Sequence, residues 1–371
     1  MPRPLIRYLV SSPFGDIPAD KDTWDSPLEG DELKTPYKIY FYSIKDFLLR
    51  DNSKLLLLSI SKNIGKEIQP KEIDEILIRI EKHGILYHPA SIEIICKDNR
   101  VKFCLNVAVS DLGRYWLKKE YNTIEELHTK FNLPYLPKTY FFGEFNSMSF
   151  LLEDWFDGYH EFHLSIDNKG KQQLKLWDFN KGYKYLYPEE SFEIYKQASK
   201  ILTSYYELED FSQILGWHQA AGDFVAKIEN MKVDVRLTTA RQHGPFIGFT
   251  DLNTLNPILA LLYFFLNLTL KMRLDKLDGI GEAAWADDLC IEATLTGFSE
   301  AMQSRKNLKS YLNFEVKDFL RLMHSFSQKE LKRIVSPLIE QYKNTSDYPI
   351  IITNLDRHIE KLLNTLQNFL E

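Results

Sequence analysis

The apolar positions of this chain change rhythm along its length. Two early runs, YKIYFYSIKDFLL and KLLLLSISKNIG, have strand length. PKEIDEILIRIEKHG then predicts an amphipathic helix: Pro70 opens it, Ile73, Ile76, Leu77 and Ile80 mark one face, and Gly84 supplies a stop. The runs ILYHPASIEIICK and VKFCLNVAVS predict a hairpin turning at Asp98-Asn99. From Gly113 to Phe131 the spacing of Leu117, Tyr121, Ile124, Leu127 and Phe131 predicts a helix. Pro134 and Pro137 break it, and two strands follow, the second ending in the acidic turn of SFLLEDWFDG. FHLSIDNKGKQQLKLWDF predicts another hairpin, turning at Asp167–Gly170. The pattern is helical from Pro188 to about Leu215, then gives a loop and two short strands, and is helical again from Leu252 apart from a break near NTSDYPIIIT.

That order is a β-rich half with one helix, followed by a mostly helical half holding one small hairpin. It predicts an α+β, two-lobed chain. Residues 1–80 read as an N-terminal extension, with an irregular lead-in rich in Pro, Asp and Gly. Residues 81–157 read as a small antiparallel β lobe with one main helix, and 158–371 as a larger helical lobe.

Composition narrows the classes. The 371 residues are 44% hydrophobic and 26% charged, ordinary for a soluble chain with room for an ample core. The net charge of −6 argues against a nucleic-acid footprint over the whole protein. Cys96, Cys104 and Cys290 lack metal-site spacing and read as buried thiols of a cytoplasmic protein. The N-terminus shows no secretory h-region. The longest apolar run, ILALLYFFLNLTL, is too short for a membrane span of roughly 20 residues and reads as a buried helix. P-loop, Rossmann, serine-hydrolase and zinc-protease motifs are missing.

Four segments carry candidate chemistry, and together they resemble the protein-kinase-like fold, within it the aminoglycoside phosphotransferase and choline kinase group. NVAVS sits where the family has a Val-Ala-x-Lys strand, with Ser110 at the lysine position and Asn106 and Ala108 on its face. In LKKEYNTIEELHTKF, Glu120 fits the helix glutamate that pairs with that lysine; Lys102 is a candidate substitute partner. FLLEDWFDG resembles the hinge, making Glu153, Asp154 and Trp155 candidate adenine-side residues. AAGDFVAK resembles the His-Gly-Asp-x-x-x-x-Asn loop, with Asp223 as presumed base, Ala221 in the histidine place and no asparagine in register. The strand after it, KVDVRLTTAR, has Thr238 where the family's metal-binding aspartate stands.

The resemblance therefore implies a nucleotide site without the lysine and without both metal ligands. ATP bound with no standard magnesium site is the cofactor it suggests, and a kinase-like ligand-binding or regulatory module is the function. Asp223, His218, Asp234, Arg236 and Arg241 could form a replacement cluster gripping an anion. The same residues also read plainly: Asp234 and Arg236 as a paired couple on a solvated face, Glu120 at a helix edge, NVAVS as an ordinary strand. Two other functions stay open: a small-molecule phosphotransferase using ATP, and an unrelated α+β protein that binds a protein partner. DGIGEAAWADD reads as a helix start with acids in its first turns, or as a metal site; His160 and His163 do not share a face suited to zinc.

Overall fold

β-Branched residues override helical spacing early in this chain. The computed structural model describes residues 4–12, 15–97, 99–178, 182–246, 256–305, 308–312 and 315–371. In it, the stretch read as a helix from Pro70 makes a single 3-10 turn, Pro70–Glu72, and then a strand, Glu75–Ile80. Ile76, Ile78 and Ile80 alternate inward, and stiff β-branched side chains favour that pleat. The two early runs err in the other direction. They form helix Tyr37–Ile64, because Tyr40, Phe41, Ile44, Phe47 and Leu48 bury one face at helical spacing. That helix is broken at Arg50–Ser53, where Asp51, Asn52 and Ser53 have φ of 52°, 55° and 61°.

The chain divides into two compact units. The first comprises Met1–Lys130 and Pro137–Asp157. Its elements are β1 (Leu5–Val10), β2 (Ile17–Pro18), α1 (Lys21–Trp24), α2 (Tyr37–Ile64), β3 (Glu75–Ile80), β4 (Ala90–Cys96), β5 (Asn99–Ala108), α3 (Asp111–Phe131), β6 (Thr139–Phe145) and β7 (Met148–Asp154). Seven strands form one sheet in the order β2-β1-β3-β4-β5-β7-β6. Among the described residues of this sheet only the β1–β3 pair is parallel. The described part of residues 1–80 is thus built into this sheet and its covering helix, where an extension was expected. The β4–β5 hairpin forms as read, although Asp98 of its turn lies outside the described residues.

Alternation divides the work of the sheet. Phe103, Leu105, Val107, Phe150 and Leu152 pack with α2 residues in one core. Ala108 and Leu151 face the other way and pack with Leu117 of α3 and with Tyr87. One helix therefore covers each face.

The second unit comprises Phe131–Leu136 and Gly158–Glu371. It holds β8 (His160–Ile166), β9 (Gln172–Asp178), β10 (Gly182–Tyr185), α4 (Pro188–Ser204), β11 (Ser212–Leu215), β12 (Phe224–Glu229), β13 (Lys232–Leu237), β14 (Gln242–Pro245) and α5 (Pro257–Lys271). Then come β15 (Leu274–Lys276), β16 (Ala283–Trp285), α6 (Leu289–Gln303), α7 (Leu308–Leu312), α8 (Val316–Ser325), α9 (Gln328–Glu340) and α10 (Tyr348–Leu370). Strands β10-β9-β8-β12-β13 form a sheet; β11–β14 and β15–β16 are two-stranded ribbons.

Helix α4 stops at Ser204, short of the expected Leu215, and β11 follows it. The segment DGIGEAAWADD lies in the β15–β16 ribbon and the approach to α6 instead of opening a helix at Asp278. The apolar run Ile258–Leu270 is buried in α5 as expected, and no helix among the described residues is long and apolar enough to cross a membrane. Helices α4 and α6 meet at Gly297, where a methyl group would overlap the Lys196 carbonyl oxygen. Beside it the Ser199 hydroxyl donates to the Thr294 carbonyl at 2.7 Å. The chain is α+β, with one unit built on a large sheet and the other mostly helical.

Candidate functional site

In the second unit, the turn leading into β12 places the candidate base. His218 starts a short 3-10 turn, Gln219–Ala221, and its Nδ1 accepts the Ala220 N–H at 3.0 Å. Gly222 ends that turn at φ 69°, a conformation glycine adopts without a Cβ penalty. Asp223 follows and is 1% exposed. Arg241 donates Nη2 to its Oδ1 at 3.1 Å and Nη1 to its Oδ2 at 3.2 Å. The His218 N–H adds a third bond, to Oδ2, at 2.9 Å. Both carboxylate oxygens are therefore held by protein donors, in the forked geometry suited to guanidinium.

Three of the predicted residues gather here, Asp223, Arg241 and His218, and Thr238 joins them. The Thr238 N–H donates to the Asp223 carbonyl at 2.8 Å, and its hydroxyl reaches the Gly222 and Asp223 carbonyls at 3.2 and 3.1 Å. Thr238 thus fastens the backbone of the turn.

Asp234 and Arg236 do not join the group. Arg236 grips Asp234 at 2.6 and 3.0 Å, and the Tyr159 hydroxyl donates to Asp234 at 2.9 Å. Among the described residues no hydrogen bond or ion pair links either of them to Asp223. Strand alternation is the reason: Val233, Val235 and Leu237 bury the other face of β13. The replacement cluster expected from sequence is corrected accordingly.

Two residues that sequence reasoning missed complete the group. Because His218 Nδ1 accepts a backbone N–H, its Nε2 carries the ring proton and donates to Asp347, 3.2 Å away. That bond pulls the Asp347 carboxyl below its ordinary range. Asp347 is 7% exposed, and among the described residues its Oδ1 has no donor. Lys271, the last residue of α5, donates to the Trp217 carbonyl at 2.6 Å with its Nζ 4.2 Å from the indole centroid. Burial lowers Lys271 to about 8, against the opposing pull of Asp223 and Asp347. Neither residue had a signal in the sequence, because both lie far along the chain from the turn they support.

A second ionic group in this unit joins His163 to Asp275, far along the chain. His163 lies between Asp275, at 3.3 Å, and Glu161, at 3.7 Å. Burial disfavours its charged form, yet hydrogen bonds to Asp275 and Glu161 outweigh burial and raise it to about 9. Lys175 donates to Asp278 at 2.6 Å and lies near the rings of Trp177, Tyr183 and Tyr185.

The first unit holds the other candidates. Strand β5 ends at Ala108, so Ser110 does not share the strand face with Asn106. The Ser110 hydroxyl accepts the Gly113 N–H at 3.1 Å, and its carbonyl accepts the Arg114 N–H at 2.8 Å. It serves as the N-cap of α3, the role serine favours at this position. Glu120 is buried on α3. Glu153, near the end of β7, accepts from the Asn106 amide at 2.8 Å. Burial and the nearby charges of Glu120 and Asp154 push the Glu153 carboxyl well up, with Asn106 opposing. Asp154 instead accepts the Tyr140 hydroxyl at 2.6 Å. Lys102 sits 3.8 Å from Glu81 and over the Trp155 ring, 3.8 Å from its centroid. The expected partner for Glu120 is thus engaged by Glu81 and Trp155.

No protein-family model and no curated protein matches the sequence. Solved structures similar to the chain include a kinase domain, at TM-score 0.30 and 10% identity, covering 78% of this chain and 85% of that one. A Haemophilus somnus chain assigned by description as a fructosamine-3-kinase is similar at TM-score 0.27 and 12% identity, covering 86% of this chain and 97% of that one.

Proposed function

We propose that this chain is a kinase-like protein whose nucleotide site is altered or lost. It acts as a ligand-binding or regulatory module and not by standard magnesium–ATP phosphoryl transfer. The observation that carries this reading is the engagement of Asp223. A general base must come within hydrogen-bond reach, about 2.6–3.2 Å between heavy atoms or through one water, of the group whose proton it takes. Asp223 is 1% exposed, with both oxygens bound by Arg241 and a backbone N–H, so it serves as the anchor of its turn.

Two further features support the reading. Ser110 and Thr238 stand at the family's lysine and metal-aspartate positions, and both spend their hydroxyls on the local backbone. Neither supplies the charge that phosphoryl transfer requires at the phosphates. The order β5, α3, β6, β7 agrees with the strand–helix–strand–strand order on which the resemblance rests. The ligand is then a nucleotide held without a standard metal site, another small molecule or a protein partner, in a cytoplasmic setting.

One observation favours a second reading, a phosphotransferase with relocated charges. Lys271 is a cation placed where Asp223 and Asp347 both act on it. Thermal unfolding with ATP, with and without magnesium, separates the two. The proposed reading expects no stabilisation that depends on magnesium; a saturable magnesium-dependent rise in Tm favours the second.

A further inference from the structure

The loop between β3 and β4 brings two imidazoles together outside the groups described above. Three backbone bonds close its neighbourhood: Glu81 N–H to the Pro89 carbonyl at 2.9 Å, Gly84 N–H to Tyr87 at 3.0 Å, and His88 N–H to Val107 at 2.8 Å. The fold-back sets His83 Nδ1 and His88 Nδ1 3.1 Å apart, with ring centroids 5.3 Å apart and planes at 64°. We propose that His83 and His88 form a bis-imidazole site for a divalent first-row transition-metal ion such as zinc. This inference concerns the first unit alone and does not depend on the functional reading above.

The geometry matches what such an ion asks of two ligands. Zinc–nitrogen bonds of about 2.0–2.1 Å at a tetrahedral angle separate the nitrogens by roughly 3.3 Å. The pair reaches that span with a small adjustment of the rings. An imidazole bound through Nδ1 uses its other N–H to fix its orientation. His83 Nε2 has such a partner in the Tyr37 hydroxyl, at 3.1 Å. The Tyr40 hydroxyl donates to the His88 carbonyl at 2.6 Å and so fixes the backbone of the second ligand.

Burial and two acidic residues act on the pair in opposite directions. Burial, with the neighbouring His83 adding to it, lowers His88 to about 4, against Asp31. Burial likewise lowers His83, against Glu29. Asp31 and Glu29 act on the pair with negative potential, against burial. In the neutral pair one Nδ1 carries a proton. Binding a metal moves that proton to Nε2 of the same ring by exchange with solvent, with no net release. Among the described residues no group of three or more His, Cys, Asp and Glu is placed to hold a metal. The pair therefore provides two ligands, and water or an external ligand fills the remaining positions.

The test is calorimetric titration of the full chain with Zn²⁺, repeated on His83→Ala and His88→Ala, with Cu²⁺ electron paramagnetic resonance as a second readout. The expected result is one saturable site per chain, weakened at least ten-fold in each variant, with coupling to two nitrogens that falls to one in either variant. Far-ultraviolet circular dichroism of the metal-free variants checks that they fold. If an alanine variant does not fold, His83→Gln and His88→Gln replace it with the same expectation. A pair joined only by an Nδ1–H···Nδ1 hydrogen bond gives no saturable binding, or binding that both folded variants retain, and either result overturns the proposal.

Discussion

Arg241 and Asp223 show how a single pairing changes the meaning of a sequence motif. Gly-Asp-Phe reads as a catalytic turn, and the turn does form, with Gly222 at positive φ. What sequence could not show is where the Arg241 side chain goes. It comes from beyond β13 to close on both Asp223 oxygens. Removing one member of a buried ion pair strands the other, which typically costs about 3–5 kcal/mol. Arg241→Ala should therefore lower unfolding stability by about that amount in urea titrations. Asp223→Asn combined with Arg241→Met should recover part of the loss, because no charge is left unpaired. If Arg241→Ala unfolds at the wild-type midpoint, the anchoring role of Asp223 is wrong. Ser110 was read on the strand face of Asn106 and Ala108 because alternation was carried two residues too far; β5 ends at Ala108. His218 and Asp347 are 129 residues apart, and no local pattern connects them.

Elements were legible where one periodicity was clear and misread where two competed. Helix α3 and the β4–β5 and β8–β9 hairpins follow their patterns, since each has a single apolar face and turn residues at its ends. Helix α2 and strand β3 exchanged types because dense Ile, Leu and Tyr runs satisfy both templates, and burial decided between them. Close packing of elements gives a prediction of its own. Gly297→Ala should force α4 and α6 apart and destabilise the chain by about 1–3 kcal/mol, the usual cost of overpacking. Thermal unfolding at fixed pH measures it.

The elements of the second unit also set its pH response. The folded His163, raised to about 9, holds its proton more tightly than the unfolded ring, whose ordinary value is about 6.5. Its contribution is fully present below about pH 6.5 and is lost as pH rises toward 9. His358 on α10 is driven by burial, and then by Arg273, down to about 3. Its contribution is present above about pH 6.5 and is lost as pH falls toward 3. Urea midpoints across this range should fall on both sides. His163→Gln should flatten the alkaline limb alone and His358→Gln the acid limb alone; unchanged limbs in the variants would falsify these assignments.

At the scale of the whole molecule, the α+β class and the change from a sheet-rich to a helix-rich part were legible because the apolar rhythm itself changes. The role of residues 1–80 was not. Strand β1 joins the sheet through a parallel pair with β3, a contact between segments far apart in sequence that no short-range pattern encodes. In the function proposed above, the chain works without magnesium–ATP phosphoryl transfer and Asp223 is a structural anchor. The most direct test is the rate of ADP release from magnesium–ATP by the wild type and by folded Asp223→Asn, with small hydroxylated acceptors present. The account predicts no release above the enzyme-free background from either protein. Turnover by the wild type that disappears in an Asp223→Asn protein of native circular dichroism would contradict it.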